Sequence, residues 1–258
     1  SQGAALEPTR GPSPLDPQWW GPGALPQWGR GAKPLAFFAM TFRGKIAGWR
    51  SAAWVNSLLI DHAVFRLVWD NFAEVVPGKW YRSNHPTPRR IARLVRQHGI
   101  RTILNLRGER YCGSEALSRE AAGRLGLDHR YMAFESRGAP HRERILRFHA
   151  IWQTVTTPVL MHCKSGADRA GLASGLVVMF EGGSAADALE QLSWRFGHFR
   201  RAASGILDAF FLRYQAEGEG RLPFLDWVAH EYDEEALRRD FRASGISSFL
   251  NDRVLWRE

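Results

Sequence analysis

Residues 158–171 read PVLMHCKSGADRAG, and this stretch decides the fold that the rest of the sequence must complete. Its first four residues form a short apolar run, which is typical of a buried β-strand ending at His162. A turn containing Gly166 follows, and a helix is predicted over about residues 170–180. Amide groups at the start of a helix point into such a turn with the helix dipole behind them. The strand, turn and helix together therefore favour a bound anion.

Two side chains on this turn carry reactive chemistry. Cys163 follows the predicted strand, and the positive field of the helix start favours its thiolate form. Arg169, six positions later, can bind two phosphate oxygens through its planar guanidinium group, which Lys does less well. Gly166 lets the backbone approach a bound group closely. This arrangement predicts that Cys163 attacks phosphorus, a general acid protonates the leaving alkoxide, and water hydrolyses the phosphocysteine.

Short strands and helices alternate on both sides of this unit, each bounded by Gly, Pro or a capping residue. Alternation of this kind predicts an α/β fold with a central, mostly parallel sheet flanked by helices. The predicted strands cover residues 79–83, 101–106, 129–134 and 158–162, and the predicted helices cover residues 87–98, 114–125, 142–155, 170–180, 184–196, 204–214 and 224–241.

The spacing of His162, Cys163 and Arg169 resembles the signature loop of the cysteine-dependent protein tyrosine phosphatase superfamily. The bacterial-type dual-specificity-like branch is the most similar in size and layout, and the resemblance covers about residues 78–214. The segments Tyr81-Arg82-Ser83 and Thr102–Glu109 also stand in the family's order. The resemblance implies a dual-specificity phosphatase-like fold and hydrolysis of phosphate monoesters without a metal or cofactor. Amides of the loop and Arg169 would neutralise the developing charge.

The sequence departs from the family pattern at two positions that matter for catalysis. The family usually has Ser or Thr after the signature Arg, where this chain has Ala170, and Ser165 is a candidate to compensate. The family's general acid is usually an Asp on a loop that corresponds here to residues 134–140, which contain no Asp. Glu135 is the only carboxylate in that loop. Asp168 is the alternative, because some inositol-lipid phosphatases of the superfamily have Asp directly before the signature Arg.

Other residues around the loop are candidates for binding substrate or adjusting the site. Glu109 is expected either to orient Arg169 or to pair locally, while His141 is a further candidate contact to an extended phosphate. Cys112 is expected to be either a lone thiol or the partner of Cys163 in a reversible disulfide. The predicted substrate-binding residues are Lys164, Ser165, Gly166, Ala167, Arg137, His198 and Arg200.

The N-terminal part of the chain differs in composition from the rest. Residues 1–35 are rich in Gly and Pro and include three Trp, which predicts an irregular arm. Residues 36–77 have apolar residues at three- and four-residue steps and few acidic ones, which predicts a basic amphipathic helical extension. This extension either packs on the domain or lies on an anionic membrane surface. Residues 78–217 are expected to form the phosphatase domain, and residues 218–258 a charged helical C-terminal element.

Composition narrows the functional classes. The 258 residues are 45% hydrophobic, which is enough for a core, and two cysteines exclude a disulfide-built scaffold or a Cys-rich zinc site. A net charge of +9 indicates an anionic partner. The chain contains no nucleic-acid-binding motif, so a phosphorylated substrate is the expected partner.

These observations predict a metal-independent phosphatase that acts on a lipid-linked or membrane-surface phosphate. A soluble phosphotyrosine or dual-specificity phosphatase is the first alternative, and an inactive phosphate-binding module is the second. A reactive thiol is most compatible with a cytoplasmic location, including the inner face of a membrane, although export is left open.

Overall fold

A computed structural model describes residues 70–110 and 112–243 of the chain. The predicted arm (1–35) lies outside the described residues, as do residues 36–69 of the basic helical extension and residues 244–258 of the C-terminal element.

Five strands form one sheet with the order β1-β2-β5-β3-β4. Strands β2, β5, β3 and β4 run parallel, and β1 pairs antiparallel with β2 at one edge. All residues of β2, β3 and β5 are buried, which agrees with the apolar or β-branched residues that make up most of β3 and β5. The predicted α/β fold with a mostly parallel sheet is therefore confirmed. The strands are β1 (Ala73–Val76), β2 (Trp80–Ser83), β3 (Thr102–Asn105), β4 (Asp128–Tyr131) and β5 (Val159–His162).

Eight α-helices surround the sheet in the described part of the chain, together with the 3-10 turns Trp194–Phe196 and Ala203–Gly205. None of these helices is long and apolar enough to cross a bilayer. The helices are α1 (Pro88–His98), α2 (Gly113–Arg124), α3 (Arg142–Thr154), α4 (Asp168–Phe180), α5 (Ala185–Glu190), α6 (Ile206–Glu217), α7 (Phe224–His230) and α8 (Glu234–Ala243).

Local sequence signals account for several helix ends. The side chain of Thr87 accepts a hydrogen bond from the amide of Arg90 at the start of α1, and Gly99 ends that helix in the left-handed conformation. Ser184 and Asp187 form the predicted capping box at the start of α5.

The structure differs from the sequence prediction at three places. Residues 73–76 form β1 rather than the end of a helical extension, because pairing with β2 supplies hydrogen bonds that local periodicity does not show. Helix α5 ends at Glu190, and a 3-10 turn follows it. The predicted helix over residues 224–241 is two helices, because Asp233 caps the second by accepting from the amides of residues 235 and 236.

The C-terminal helices belong to the same hydrophobic core as the sheet, rather than forming a separate charged element. Trp227, Tyr232 and Leu237 are fully buried and join the cluster that includes Leu172 and Leu176 of α4. Burying apolar surface of this kind stabilises a domain by roughly 25 cal/mol per Å². The core domain therefore continues beyond the predicted boundary at residue 217.

The sheet register brings the carboxyl ends of three strands level with one another. Ser83 of β2 pairs with His162 of β5, and Asn105 of β3 pairs with the same His162. Loops that follow parallel strands at one edge lie close together, and this edge is where α/β proteins bind ligands. Cys163 follows His162 directly, so the predicted signature loop lies at this edge.

Candidate active site

The signature loop, residues 163–169, closes around the sulfur of Cys163. The side chain is buried, with 2% of its surface exposed, and it begins the loop immediately after β5. The amide of Gly166 donates a hydrogen bond to the Cys163 Sγ atom over 3.2 Å. Helix α4 begins at Asp168, so its N-terminus lies at the end of the same loop. A sulfur bonded by an amide beside a helix start is placed to act as a thiolate nucleophile.

Gly166 allows the loop to lie directly on the chain around β2. Its φ is +80°, and a Cβ atom there would come within 2.7 Å of the Asn71 Cβ atom and 2.8 Å of the Asn84 nitrogen. Asn71 fixes the other side of this contact, because its Nδ2 donates to the Ser165 carbonyl over 2.7 Å and to the Phe196 carbonyl over 2.9 Å. A side chain at position 166 would therefore displace the loop that carries Cys163.

A fully buried arginine, Arg82, supports the loop from behind. Its guanidinium group donates to the Gly166 carbonyl over 2.7 Å and to the Gln191 carbonyl over 2.6 Å, and it lies 3.8 Å from the centre of the Phe196 ring. Burial lowers the pKa of Arg82 to about 9, although the nearby Cys163 thiolate favours the charged form. The motif around Arg82 does not reveal this role, because its hydrogen-bond acceptors lie 84 and 109 positions away in sequence.

The guanidinium group of Arg169 is anchored to the segment that follows β4. Its Nε donates to the Phe134 carbonyl over 2.9 Å, and its two terminal nitrogens have no acceptor among the described residues. Burial lowers the pKa of Arg169, the Cys163 thiolate raises it, and the positive charges of Arg107 and Arg110 lower it. Arg107 and Arg110 therefore lie close enough to Arg169 to affect its pKa, and the sequence motifs do not single out Arg110.

The first residue of α4 is part of a chain of polar side chains that passes through the buried His198. Asp168 Oδ1 lies 2.8 Å from His198 Nδ1, and His198 Nε2 lies 2.6 Å from Asp208 Oδ2. The Arg200 Nε atom lies 2.8 Å from Asp208 Oδ1. The side chain of His198 has no exposed surface. His198 therefore lies behind Asp168 and reaches the pocket through it, while Arg200 is engaged with Asp208.

Burial lowers the pKa of His198, but its hydrogen bonds to Asp168 and Asp208 outweigh that effect and raise the pKa to about 9. The imidazole is therefore a cation at neutral pH. The sequence predicts His198 as a residue beside the pocket but does not indicate Asp208, which lies in the first turn of α6 and carries no motif.

The loop of residues 134–141 holds the second candidate acid. Glu135 Oε1 forms an ion pair with Arg144 and lies 3.3 Å from His141 Nε2. His141 Nδ1 in turn lies 2.5 Å from Glu234 Oε2 at the start of α8. Glu135 thus makes its contacts on the side toward α3 and α8. Arg137 is exposed on the same loop.

The remaining predicted site residues lie in or beside the signature loop. Lys164 and Ser165 are exposed, whereas Ala167 is buried, and its amide donates to the Ser165 Oγ atom over 3.3 Å. Ala170 is fully buried, so no hydroxyl occupies the position where the family usually has one. Glu109 lies 3.8 Å from Arg119, which is the local pairing that the sequence left open.

Neither cysteine takes part in a disulfide. Cys112 is partly buried and Cys163 is buried. In the described part of the chain, no three His, Cys, Asp or Glu side chains are grouped so that they could hold a metal ion.

Part of the chain resembles known proteins. Residues 68–191 match the model of the tyrosine phosphatase family. No curated protein matches the chain at a significant level. Solved structures that resemble it include the core catalytic domain of the PP-IP phosphatase SIW14 from S. cerevisiae, with 18% identity, coverage of 69% of this chain and 96% of that one, and a TM-score of 0.43.

Two further solved structures are similar at the same level. P. aeruginosa TpbA has 18% identity, coverage of 67% of this chain and 91% of that one, and a TM-score of 0.46. PTPMT1 has 15% identity, coverage of 56% of this chain and 96% of that one, and a TM-score of 0.43. At these identities the three structures carry no information about the substrate of this chain. Through residues 68–191 the chain belongs to the tyrosine phosphatase family, and it is a cysteine-type phosphoric monoester hydrolase.

Proposed function

We propose that the chain hydrolyses a phosphate monoester presented at an anionic membrane surface, through a phosphocysteine formed on Cys163. The observation that carries the surface part of the proposal is an exposed aromatic and basic loop beside the active site. The loop amides and Arg169 would hold the phosphate while the Cys163 sulfur attacks phosphorus and the ester oxygen leaves.

Asp168 is the general acid in this proposal, in preference to Glu135. Glu135 is occupied by Arg144 and lies against His141, so a proton on it would weaken two favourable contacts. Asp168 stands directly beside Arg169 at the start of α4, and only one of its carboxylate oxygens bonds to His198. An acid adjacent to the residue that grips the phosphate is within reach of the leaving oxygen.

The aromatic and basic loop comprises residues 194–201. Trp194 is 80% exposed and Phe199 is 65% exposed, and they are two of only three large hydrophobic side chains that are exposed among the described residues. Arg195, Arg200 and Arg201 are exposed on the same loop. Aromatic rings lie favourably at the bilayer interface, and each basic residue near anionic lipid contributes about 1 kcal/mol.

This loop is continuous with the active site. Its Phe196 ring lies against Arg82, and its His198 bonds to Asp168. A membrane bound by the loop would therefore lie near the mouth of the phosphate site. The net charge of +9 acts in the same direction, because it attracts the whole chain to an anionic surface.

The test compares phosphate release from phosphatidylcholine vesicles that contain phosphatidic acid with release from glycerol 3-phosphate and from a phosphotyrosine peptide. We expect the vesicles to be the fastest substrate at low salt and to lose this advantage as salt rises. The double substitution Trp194→Ala and Phe199→Ala should lower the vesicle rate about tenfold relative to the soluble rates. Leu125→Ala, at the third exposed large hydrophobic residue, is the matched control.

Each alternative function has its own outcome. A phosphotyrosine peptide that is hydrolysed faster than the vesicles would favour a soluble protein phosphatase. If the double variant and Leu125→Ala lost the same fraction of the vesicle rate, the loop would have no specific role in hydrolysis at the vesicle surface. If Cys163→Ser released phosphate as fast as the unaltered chain, the phosphocysteine mechanism would fail. No release from any substrate would favour the inactive phosphate-binding module.

A further inference from the structure

A chain of polar contacts runs from Asp168 through the buried side chains of His198 and Asp208 to the exposed Arg200. Both ring nitrogens of His198 face a carboxylate oxygen, at 2.8 Å to Asp168 and 2.6 Å to Asp208. Carboxylates only accept hydrogen bonds unless they are protonated, so short contacts on both sides require a proton at each ring nitrogen or on one carboxyl group. The cluster therefore holds one proton more than a neutral imidazole between two carboxylates.

The position of the cluster connects this proton to the reaction. Asp168 is the first residue of α4 and the neighbour of Arg169, whereas Asp208 lies in α6 and is 3% exposed. Asp208 is ion-paired with Arg200 on the far side, so its charge is compensated and it can hold the imidazole without taking the proton. A proton can leave this cluster toward the substrate only through Asp168.

We infer that His198 stores the proton that Asp168 delivers to the leaving group, with Asp208 and Arg200 holding the ring in place. This inference rests on the proposed function of Asp168. In this proposal Asp168 is the catalytic acid that would contact the leaving oxygen, and His198 is a positioning residue that acts through it.

The proton that leaves His198 in the first chemical step returns to it in the second. In the first, the Cys163 sulfur bonds to phosphorus and the P–O ester bond breaks, while His198 gives its Nδ1 proton to Asp168 and Asp168 passes a proton to the leaving oxygen. Asp168 is then a carboxylate again, and His198 is neutral and keeps its proton toward Asp208. In the second, water attacks phosphorus, its proton returns through Asp168 to His198, and the P–S bond breaks to restore the Cys163 thiolate.

The charged groups that face the His198 ring come from two helices and from its own loop. Asp168 of α4 and Asp208 of α6 favour the protonated ring, and Arg200 lies beyond Asp208. The pKa of His198, raised to about 9, predicts that the proton store is full at neutral pH and empties on the alkaline side. Hydrolysis that depends on the acid should therefore fall with a basic limb near that value.

The test uses His198→Gln in the full chain, with two substrates that differ in leaving group. Hydrolysis of an alkyl phosphate needs an acid, whereas p-nitrophenyl phosphate has a leaving group that departs without one. We expect a loss of about a hundredfold on the alkyl phosphate and less than about fivefold on the aryl phosphate. The basic limb of the alkyl profile should disappear. His230→Gln, at an exposed histidine on α7, is the matched control and should behave as the unaltered chain.

A double-mutant cycle separates proton storage from a purely structural effect. If His198 acts through Asp168, the double variant Asp168→Asn and His198→Gln should be no slower on the alkyl phosphate than Asp168→Asn alone. Asp208→Asn provides a second route if His198→Gln does not fold, and it should shift the basic limb to lower pH, because one of the carboxylates that stabilise the imidazolium is gone.

Two results would overturn the inference. One is an equal loss on both substrates for His198→Gln, and the other is additivity of the two substitutions in the cycle. Failure of the proposed function would look different, because activity on the aryl phosphate would then persist in Cys163→Ser. If hydrolysis depends on Cys163 but His198→Gln leaves the ratio of the alkyl-phosphate rate to the aryl-phosphate rate unchanged, the proposed function stands and the inference of a proton store fails.

Discussion

At Gly166 a single hydrogen atom in place of a side chain lets the loop around Cys163 form. We expect Gly166→Ala to abolish phosphate release, because the new Cβ would lie 2.7 Å from Asn71 and the residue would keep a φ of +80°. The strained backbone and the overlap together cost roughly 2 kcal/mol or more. The measurement is phosphate release together with the unfolding free energy in denaturant.

Gly99 offers the control for this substitution. Its φ is +64°, but nothing lies within 4 Å of a Cβ built there, at the end of α1. Gly99→Ala should therefore cost about 1 kcal/mol of stability through the backbone alone and leave phosphate release intact. Equal activity in the two variants would show that the close approach at Gly166 is not needed for the site.

Residues of the site differ in how visible they are in the sequence. Cys163 and Arg169 are found from their spacing, because both lie on one continuous turn. Arg82 and Asn71 bind the same turn from distant parts of the chain, and no local pattern marks them. Asp208 is hidden for the same reason, since its contact with His198 exists only once α6 has packed against the loop.

At the scale of elements, residues between α7 and α8 and at the start of α8 hold the loop that carries Glu135 in place. The Tyr232 hydroxyl donates to the Pro140 carbonyl over 2.7 Å, and Glu234 accepts from the Arg142 amide over 2.7 Å. Arg137 stands exposed in this loop. Contacts of this kind should limit how far the loop can open.

We expect Tyr232→Phe to loosen the loop, because a buried carbonyl loses its donor at a cost of about 1 to 2 kcal/mol. Trypsin should then cleave after Arg137 about five to ten times faster under native conditions, as followed by mass spectrometry. Tyr214→Phe is the matched control, since its hydroxyl donates to the Leu222 carbonyl over 3.0 Å away from the loop. The same increase in both variants would indicate a global loss of stability instead.

Elements also differ in how well they can be predicted. Helix α1 has a capping Thr, a Pro in its first turn and a terminal Gly, so its ends follow from local chemistry. Strand β1 has only four residues and depends on pairing with β2, which periodicity along the chain cannot reveal. The C-terminal helices are recognisable as helical, but their burial against α4 depends on the assembled core.

At the scale of the whole molecule, the buried imidazolium links stability to pH. The pKa of His198 rises from the ordinary value of 6.5 to about 9 in the folded chain. Below about 6.5 the ring is charged in both the folded and unfolded states, so its two ion pairs contribute in full. As pH rises through about 9 the folded ring loses its proton and this contribution disappears.

We therefore expect the stability gap between the unaltered chain and His198→Gln to shrink by on the order of 3 kcal/mol between about pH 6 and pH 10. Denaturant unfolding at a series of pH values measures the gap, with His230→Gln correcting for an ordinary exposed histidine. A gap that stays constant, or grows with pH, would contradict a raised pKa in the folded state.

The class of chemistry and the α/β fold follow from the sequence because they depend on contiguous signals. One turn holds the predicted nucleophile, the predicted phosphate-binding arginine and a candidate acid, and alternating strands and helices imply a parallel sheet. The net positive charge indicates an anionic partner but does not distinguish one kind of anionic partner from another.

Tertiary structure decided everything that depends on residues far apart in sequence. Arg82 packs behind the loop, Glu135 forms an ion pair with Arg144, and His198 lies between Asp168 and Asp208. Tertiary structure also brought two exposed aromatic residues beside the phosphate site. The physical reason is that hydrogen bonds, ion pairs and burial act over a few ångströms in space, whereas sequence patterns report only on neighbours along one strand or helix.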